Sequence, residues 1–545
     1  MNITQLSPLL SGFLVYSISR LIVALGFSFA TFFTTAVLQN GSLPPLLQDL
    51  QESSFRWTSG DTELALPLPP PGTFALMVKA WPIRDNLEVK VRIAGEEIQT
   101  LLLTGGEQEY KVTLPLAAIE ESRQTSHPLR VSFHSAAYSP QELTQGRSLD
   151  SRLLAFCLTS LSYFPSPQYQ PLDVTEASIF VRGVYSLERA ERPSGFLSFF
   201  RAAAFRWDAA WYADIVERGY AYLPGGGGEQ NVRFFPLYPI ICRGLHKVIP
   251  LPLDLLMEGV ANALAIAAVL SFSILASKTL TPEAAWAAIC LFCFYPGSLF
   301  FSLPYTESLM ALLVILFLLF LQQQRFVLAA LACGLATACR PTGVVLVPAL
   351  AWEYYASIRS QSSFGRALAF GMLVLMISVS GVASYAFFLH WQFGEALAFA
   401  RVASALPAWP VGWQWDLISG APVRRMLLEA SHRPLSLFIV PRFFNALAFS
   451  GAIFVLLVGG RYVPRAWLIT GLGLAAMPYV TLGGSSQGVG SMTRFLAVDV
   501  PVFLCGGLLL VRYGLLRWLP GFAALLAIVL FIFSALFATG SYFVG

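Results

Sequence analysis

The chain has 545 residues, of which 56% are hydrophobic and only 12% are charged, and its mean hydropathy is +0.64. This composition excludes a soluble multidomain protein and indicates a membrane protein. The net charge of +4 results from 35 basic and 31 acidic residues, and the basic residues form no concentrated patch, so we expect no nucleic-acid partner. The seven cysteines lie mostly in apolar runs, which favours a packing role over metal binding or disulfides.

An apolar segment from Leu9 to Leu38 opens the chain. It is too long for the core of a signal peptide, so we predict a retained first transmembrane helix within residues 1–40. The following residues, up to about 195, are rich in charge and have no run long enough to span a bilayer. This part of the chain is therefore predicted to be a water-exposed insert.

Six short segments of the insert are rich in β-branched and aromatic residues, partly alternate in polarity and are separated by Gly, Pro and Asn. They cover residues 62–69, 74–81, 87–95, 110–116, 129–136 and 153–164. We predict a β-sandwich or jelly roll over residues 41–170, with GEEIQ (95–99) and GGEQEY (105–110) as turns. An accessory or carbohydrate-contacting role is favoured over catalysis there. Residues 171–234 then read as a linker with interfacial helices.

From residue 235 to 545 the chain is hydrophobic again, and the pattern indicates a multispanning helical domain. Counted with the first helix, the candidate segments predict about 11 to 13 transmembrane helices. Two of them, 326–339 and 343–356, are shorter than the ~20 residues that a bilayer requires and are predicted to be half-spans or kinked helices. Basic residues cluster in several short loops, which the positive-inside rule makes cytoplasmic, so the insert is expected on the outer side.

The segment from Phe205 to Tyr222 contains the first candidate site. On a helix, Asp208, Trp211 and Tyr212 fall at positions i, i+3 and i+4 and share one face. An acid beside two amphipathic aromatic rings suits a sugar, with Asp208 as general base and the rings as stacking surfaces. The alternative is an interfacial aromatic belt in which Asp208 only caps a helix. Asp214 lies on a different helical face, so it forms no chelating pair with Asp208.

Three further charged residues stand in breaks between apolar segments. Glu307 follows Pro304 at membrane depth, where a carboxylate marks a site or pathway, although it also suits a helix start. Arg340 precedes Pro341, and Arg494 lies at the outer end of a predicted span; either guanidinium can bind a phosphate through two hydrogen bonds. Snorkelling to the headgroups is the simpler reading for any one arginine. Arg20 in the first helix is a weaker candidate.

Phosphate-binding, dinucleotide-binding and zinc-protease motifs are missing from the sequence. ATP-driven transport and nicotinamide chemistry are therefore unsupported. The Asp208 segment predicts no metal, no cofactor is firmly predicted, and a divalent cation is left open because a second carboxylate such as Glu307 can join Asp208 in space.

Taken together, these motifs resemble the PIG-V family, the glycosylphosphatidylinositol mannosyltransferase 2 group of the GT-C glycosyltransferases. The matching pieces run in family order over roughly residues 200 to 500: Trp207-Asp208, Trp211-Tyr212, Gly219-Tyr220, Phe235-Pro236 with Pro239, Tyr305-Thr306-Glu307, Arg340 with Gly343, and Thr493-Arg494-Phe495, with a weaker echo at Ser19-Arg20-Leu21.

The resemblance implies a GT-C-like enzyme that transfers mannose, or a related hexose, from a polyprenyl-phosphate donor to an acceptor hydroxyl with inversion, on the extracytoplasmic face. The family's acid falls on Asp208, and Arg494 and Arg340 are the candidates for the donor phosphate. The candidate substrate-binding residues are Trp207, Trp211, Tyr212, Tyr305 and Glu307.

The β insert departs from the eukaryotic members of the family. The insert favours a bacterial homologue that acts on another glycolipid, a glycan or a protein. Such a homologue is expected in the cytoplasmic membrane with the site facing outward. A eukaryotic origin would place the protein in the endoplasmic reticulum membrane. A lipid-linked sugar flippase or transporter is the main alternative. A glycan-binding insert held by passive spans is another, but a dozen spans are more than an anchor needs.

Overall fold

The structure, a computed structural model, describes residues 7–39, 56–69, 72–93, 95–104, 108–125, 128–138, 155–164, 180–184, 204–205, 208–222, 230–358, 364–405, 439–482 and 491–538. Two kinds of structure occur in this part of the chain. An antiparallel β domain lies in the N-terminal third, and helices make up the remainder.

Eight antiparallel strands form the β domain in the order β4-β3-β6-β1-β7-β2-β5, and β8 also pairs with β1. The strands are β1 (Arg56–Leu66), β2 (Ala75–Pro82), β3 (Leu87–Ile93), β4 (Glu96–Leu103), β5 (Gln108–Thr113), β6 (Leu129–Ser135), β7 (Phe156–Phe164) and β8 (Phe180–Val184). The N-terminal end of β1 pairs with β7 and its C-terminal end pairs with β6, so β1 joins two halves of the sheet.

One hydrophobic core lies between these two halves. Phe133 of β6 contacts Phe156 of β7 edge to face at 5.7 Å, and apolar residues of both halves belong to one buried cluster. Strand β3 alternates strictly between buried and exposed side chains, as a half-buried strand requires. The predicted antiparallel β domain is confirmed, while the jelly-roll topology stays a prediction.

Sequence patterning missed three elements of this domain. Helix α2 (Leu116–Thr125) and strands β4 and β8 were not predicted, and β4 covers most of the GEEIQ segment that was expected to turn. The polar residues of that segment lie on an exposed strand, where charge does not oppose strand formation. Because β8 pairs with β1, the sheet also extends beyond the predicted limit at residue 170.

The remaining helices, in chain order, are α1 (Pro8–Gln39), α3 (Asp208–Arg218), α4 (Leu237–His246), α5 (Leu253–Thr279), α6 (Pro282–Phe294), α7 (Glu307–Gln322), α8 (Phe326–Cys339), α9 (Leu346–Ile358), α10 (Phe364–Phe393), α11 (Ala398–Ala405), α12 (Ile439–Gly459), α13 (Arg465–Leu482), α14 (Met492–Leu496), α15 (Val500–Arg512) and α16 (Leu519–Ala538). Short 3-10 helices interrupt the series at Pro296–Ser302 and Pro341–Val345.

Within the described ranges, five helices contain a stretch long and apolar enough to cross a membrane: α1, α5, α10, α12 and α16. A sixth span arises if α6 and the 3-10 helix Pro296–Ser302 count as one, bent by 69°. The predicted 11 to 13 spans exceed this number because several apolar segments form short helices; α7, α8 and α15 have only 16, 14 and 13 residues. The polytopic helical architecture is confirmed, and the breaks between short helices surround the candidate site.

Candidate active site

Helix α3 positions Asp208 at its first residue. The helix has an acid in its first turn and Arg218 in its last, as the helix dipole favours. It ends because Gly219 has a φ of +85°, a left-handed conformation suited to glycine, and the Gly219 amide donates to the Ile215 carbonyl at 2.9 Å. The apolar face of α3 is buried, so its N-terminal carboxylate is held against the helical core.

Helix α14 positions Arg494. The backbone amide and hydroxyl of the preceding Thr493 donate to Oδ1 of Asn445, at 2.7 and 2.5 Å. On the other side, a Cβ atom at Gly297 would lie 2.1 Å from the Thr493 carbonyl oxygen, so only glycine permits this approach. These two contacts hold the short helix, and with it Arg494, between α12 and the 3-10 helix Pro296–Ser302.

Arg340 and Glu307 are positioned by a second pair of breaks. Arg340 is the extended residue after α8, where the following Pro341 prevents the helix from continuing. Gly343 packs against α8 so closely that a Cβ atom would lie 2.5 Å from the Ala336 carbonyl oxygen. Glu307 is the first residue of α7.

The four charged side chains meet in one chain of ion pairs. Nη2 of Arg494 lies 2.6 Å from Oδ2 of Asp208, and Nε of Arg494 donates to Oε1 of Glu307. Nη1 of Arg340 donates to the same Glu307 oxygen at 2.7 Å. Arg494 thus bridges the two acids, and Glu307 bridges the two arginines.

Burial differs along this chain of ion pairs. The Glu307 side chain is 0% exposed, that of Arg494 is 6% exposed and that of Arg340 is 11% exposed. The Asp208 side chain is 24% exposed, so it is the member of the network that reaches solvent most easily. Oε2 of Glu307 is buried and has no hydrogen-bond partner among the residues that the structure describes.

Electrostatics keep Asp208 ionised. Burial by itself would raise the pKa of Asp208, but the guanidinium of Arg494, together with Arg233 and Arg340, holds this pKa below its ordinary value. Arg233 was not among the predicted site residues. It stands in the RFFPLYP segment, but an arginine near a membrane boundary has the same sequence signal whether it faces lipid headgroups or an acid.

Aromatic rings cover both guanidinium groups. The Tyr305 ring centroid lies 4.6 Å from Cζ of Arg494, and the Phe300 ring lies 5.1 Å from it. The Phe495 ring contacts both arginines, at 5.0 Å from Arg340 and 5.8 Å from Arg494. Such cation–π contacts hold the planar groups in place. Tyr305, predicted to bind substrate, therefore supports Arg494 in this structure.

The aromatic side chains on the predicted face of α3 differ in how deeply they are buried. Tyr212 is buried, and its hydroxyl shares a hydrogen bond of 3.4 Å with the Thr306 hydroxyl. Trp211 is partly buried and stacks on Phe234 at 5.7 Å. Trp207 lies outside the described residues.

Two other charged residues stand apart from the network. Arg20 donates to the Ser298 carbonyl at 2.6 Å and to the hydroxyls of Ser298 and Ser302, both at 2.8 Å, so it fastens α1 to the 3-10 helix. Asp214 accepts hydrogen bonds from Arg218 and Asn231. In the described part of the chain, no three His, Cys, Asp or Glu residues are grouped to hold a metal ion.

This fold and site define a polytopic, GT-C-like membrane protein with two acids and two arginines gathered beside its apolar helices. Residues 196–399 match the family model described as Mannosyltransferase (PIG-V). This match supports the resemblance to the PIG-V family that the sequence motifs indicate. The matched region contains Asp208, Glu307 and Arg340, and the fold brings Arg494 to them from outside it.

Curated relatives carry the same family resemblance. GPI alpha-1,6-mannosyltransferase 2 of Cricetulus griseus is 33% identical over 153 residues, which cover 26% of this chain and 30% of the relative. GPI mannosyltransferase 2 of Drosophila pseudoobscura pseudoobscura is 26% identical over 183 residues, 30% of this chain and 37% of the relative. The chain thus spans about a third of the length of these relatives. Both are animal proteins, so they lend no support to the expected bacterial origin.

Proposed function

We propose that the protein is an inverting mannosyltransferase that uses a polyprenyl-phosphate-linked sugar as donor. The observation that carries this proposal is the ion-pair network in which Arg494 and Arg340 lie beside the partly exposed carboxylate of Asp208. Two adjacent guanidinium groups suit an anionic leaving group, and an ionised acid next to them suits removal of a proton.

In the proposed reaction, Asp208 accepts the proton of the acceptor hydroxyl. The hydroxyl oxygen then forms a bond to the anomeric carbon of the sugar, while the bond from that carbon to the phosphate oxygen breaks on the opposite face. The polyprenyl phosphate leaves with the bonding electrons, and Arg494 and Arg340 stabilise its negative charge. The new glycosidic bond has the inverted configuration.

The position of the site fits a lipid-borne donor. Helix α3 has only 11 residues and begins with a carboxylate, so it suits the edge of the membrane, where a lipid phosphate lies. The basic loops between the apolar segments favour an extracytoplasmic location for this edge. We propose the same side for the β domain, where it can contact the acceptor.

Mannose is proposed as the sugar because the curated relatives are named as mannosyltransferases. By the same comparison, the acceptor is proposed to be a lipid-linked glycan. Trp211 has a partly buried ring close to Asp208 on α3 and remains a candidate for contact with the sugar, as does the neighbouring Trp207.

The competing hypothesis is a flippase or transporter of lipid-linked sugars. The test uses the purified full chain in liposomes supplied with radiolabelled polyprenyl-phosphate mannose and a glycolipid acceptor. A transferase produces labelled acceptor with a new glycosidic bond. Label that crosses the bilayer while it remains on the polyprenyl phosphate would overturn the proposal and favour transport.

A further inference from the structure

The guanidinium group of Arg494 is already paired with two acids. Its Nη2 is paired with Asp208 and its Nε with Glu307. The residue proposed to hold the donor phosphate is therefore bound to the residue proposed to act as base. A phosphate that arrives at Nη2 must separate Arg494 from Asp208, so one of these two side chains has to move.

The contacts of Arg494 decide which side chain moves. Displacing the arginine would break its ion pair with Glu307, whose side chain is 0% exposed and therefore out of reach of bulk solvent. Breaking a buried ion pair by removing one partner is strongly unfavourable, because it leaves an uncompensated buried charge. It would also remove the guanidinium from the rings of Tyr305 and Phe300. Asp208, at 24% exposure, can turn toward solvent at lower cost.

Glu307 also ties the two arginines together. One oxygen, Oε1, accepts from both Arg494 and Arg340, and the ring of Phe495 packs against both guanidinium groups. Without this shared carboxylate, two buried positive charges would repel each other and separate. Glu307 thus keeps them close enough to contact one phosphate group.

We propose that Glu307 is a positioning residue that holds Arg494 and Arg340 as a single anion site, so that the phosphate of the donor displaces Asp208 and uncovers it as the base. The inference rests on the proposed function. It adds an order of events: the donor binds first, and Asp208 becomes available to the acceptor hydroxyl only afterwards. Premature deprotonation of an acceptor or of water is thereby avoided.

The proposal predicts opposite effects for two acids that bind the same arginine. Asp208→Asn removes the competitor of the phosphate, so the Kd for the donor should fall at least threefold. Glu307→Gln removes the charge that holds the arginines together, so the same Kd should rise at least tenfold. A merely structural role would weaken binding in both variants.

The experiment measures equilibrium binding of radiolabelled polyprenyl-phosphate mannose to the detergent-purified full chain, without acceptor. Glu283→Gln is the matched control, since Glu283 is also a first-turn acid but is exposed, on α6; its Kd should stay within twofold of the wild type. If Glu307→Gln does not purify as a monodisperse protein, Glu307→Asp replaces it, with an expected rise in Kd of about threefold.

Shifts in the same direction for Asp208→Asn and Glu307→Gln, or no shift in either, would overturn the inference. Opposite shifts in a protein that forms no glycosidic product with a glycolipid acceptor would support the shared anion site held by Glu307, but would overturn the proposed function and with it the role of Asp208 as base. A wild-type chain that does not bind this donor would contradict both.

Discussion

Arg494→Lys is the substitution that most directly examines the bridging role of Arg494. The arginine uses two different nitrogens, Nη2 for Asp208 and Nε for Glu307. A lysine has one terminal nitrogen on a flexible stem, so it keeps the positive charge but cannot reach both acids in the same geometry. One charge-assisted hydrogen bond is therefore lost in a site that is almost completely buried.

The structure sets the expected size of this effect. A hydrogen bond to a charged group contributes about 1.5–3 kcal/mol, so we expect Arg494→Lys to lower the free energy of unfolding by about 2 kcal/mol. In the reaction, the loss of one donor to the leaving phosphate should lower kcat by about 10²-fold, the scale seen when one oxyanion donor is removed.

Two assays measure these quantities. SDS-induced unfolding followed by tryptophan fluorescence gives the stability change, and transfer of radiolabelled mannose in liposomes gives kcat. Arg218→Lys is the control, because Arg218 forms an i,i+4 pair with Asp214 on α3 and is 43% exposed. Such a surface pair contributes about 0–1 kcal/mol. An Arg494→Lys protein that matches Arg218→Lys in both assays would refute the bridging role.

Two further predictions concern packing and pH. Gly343→Ala places a methyl group 2.5 Å from the Ala336 carbonyl oxygen. This substitution should lower the free energy of unfolding by about 2–3 kcal/mol and should reduce mannose transfer because it displaces Arg340. Unchanged SDS unfolding would contradict this prediction. In the donor-free protein, Arg494 and its neighbours hold the pKa of Asp208 below its ordinary value, so the base stays ionised and is lost only as the pH falls through that lowered pKa. Bound donor occupies Arg494 and thereby raises the pKa of Asp208. The acid limb of the pH profile of kcat should therefore lie at higher pH than the acid limb of kcat/KM for the donor. Coincident acid limbs would show that the donor does not replace Asp208 as the partner of Arg494.

Sequence patterning anticipated the parts of the fold that depend on local periodicity. The apolar run from Leu9 to Leu38 became the long helix α1, and LEVKVRI became an alternating strand. Among the described residues, fewer helices have the length of a full span than the 11 to 13 predicted, because mean apolarity is the same for a long helix and for two short helices joined by a bend. The 69° bend between Phe294 and Pro296 depends on how this segment packs, which hydropathy does not record.

For the site, residue type and local breaks were sufficient to select Asp208, Glu307, Arg340 and Arg494. Their pairing was not predictable, since Glu307 and Arg494 are 187 residues apart in sequence and meet only because α7 and α14 both pack against the 3-10 helix Pro296–Ser302. The supporting contact of Asn445 with Thr493 was missed for the same reason. A polar residue in an apolar run indicates that it needs a partner, but not which one.

The central claim is that the carboxylate of Asp208 removes the acceptor proton. It is tested most directly by single-turnover transfer from saturating polyprenyl-phosphate mannose in purified Asp208→Asn, with Asp214→Asn on the same helix as control. General base catalysis contributes about 10²–10⁴-fold, so Asp208→Asn should transfer about 10³-fold more slowly while it retains donor binding, and Asp214→Asn should remain within a few-fold of the wild type. Transfer by Asp208→Asn at a rate close to that of the wild type would contradict the claim.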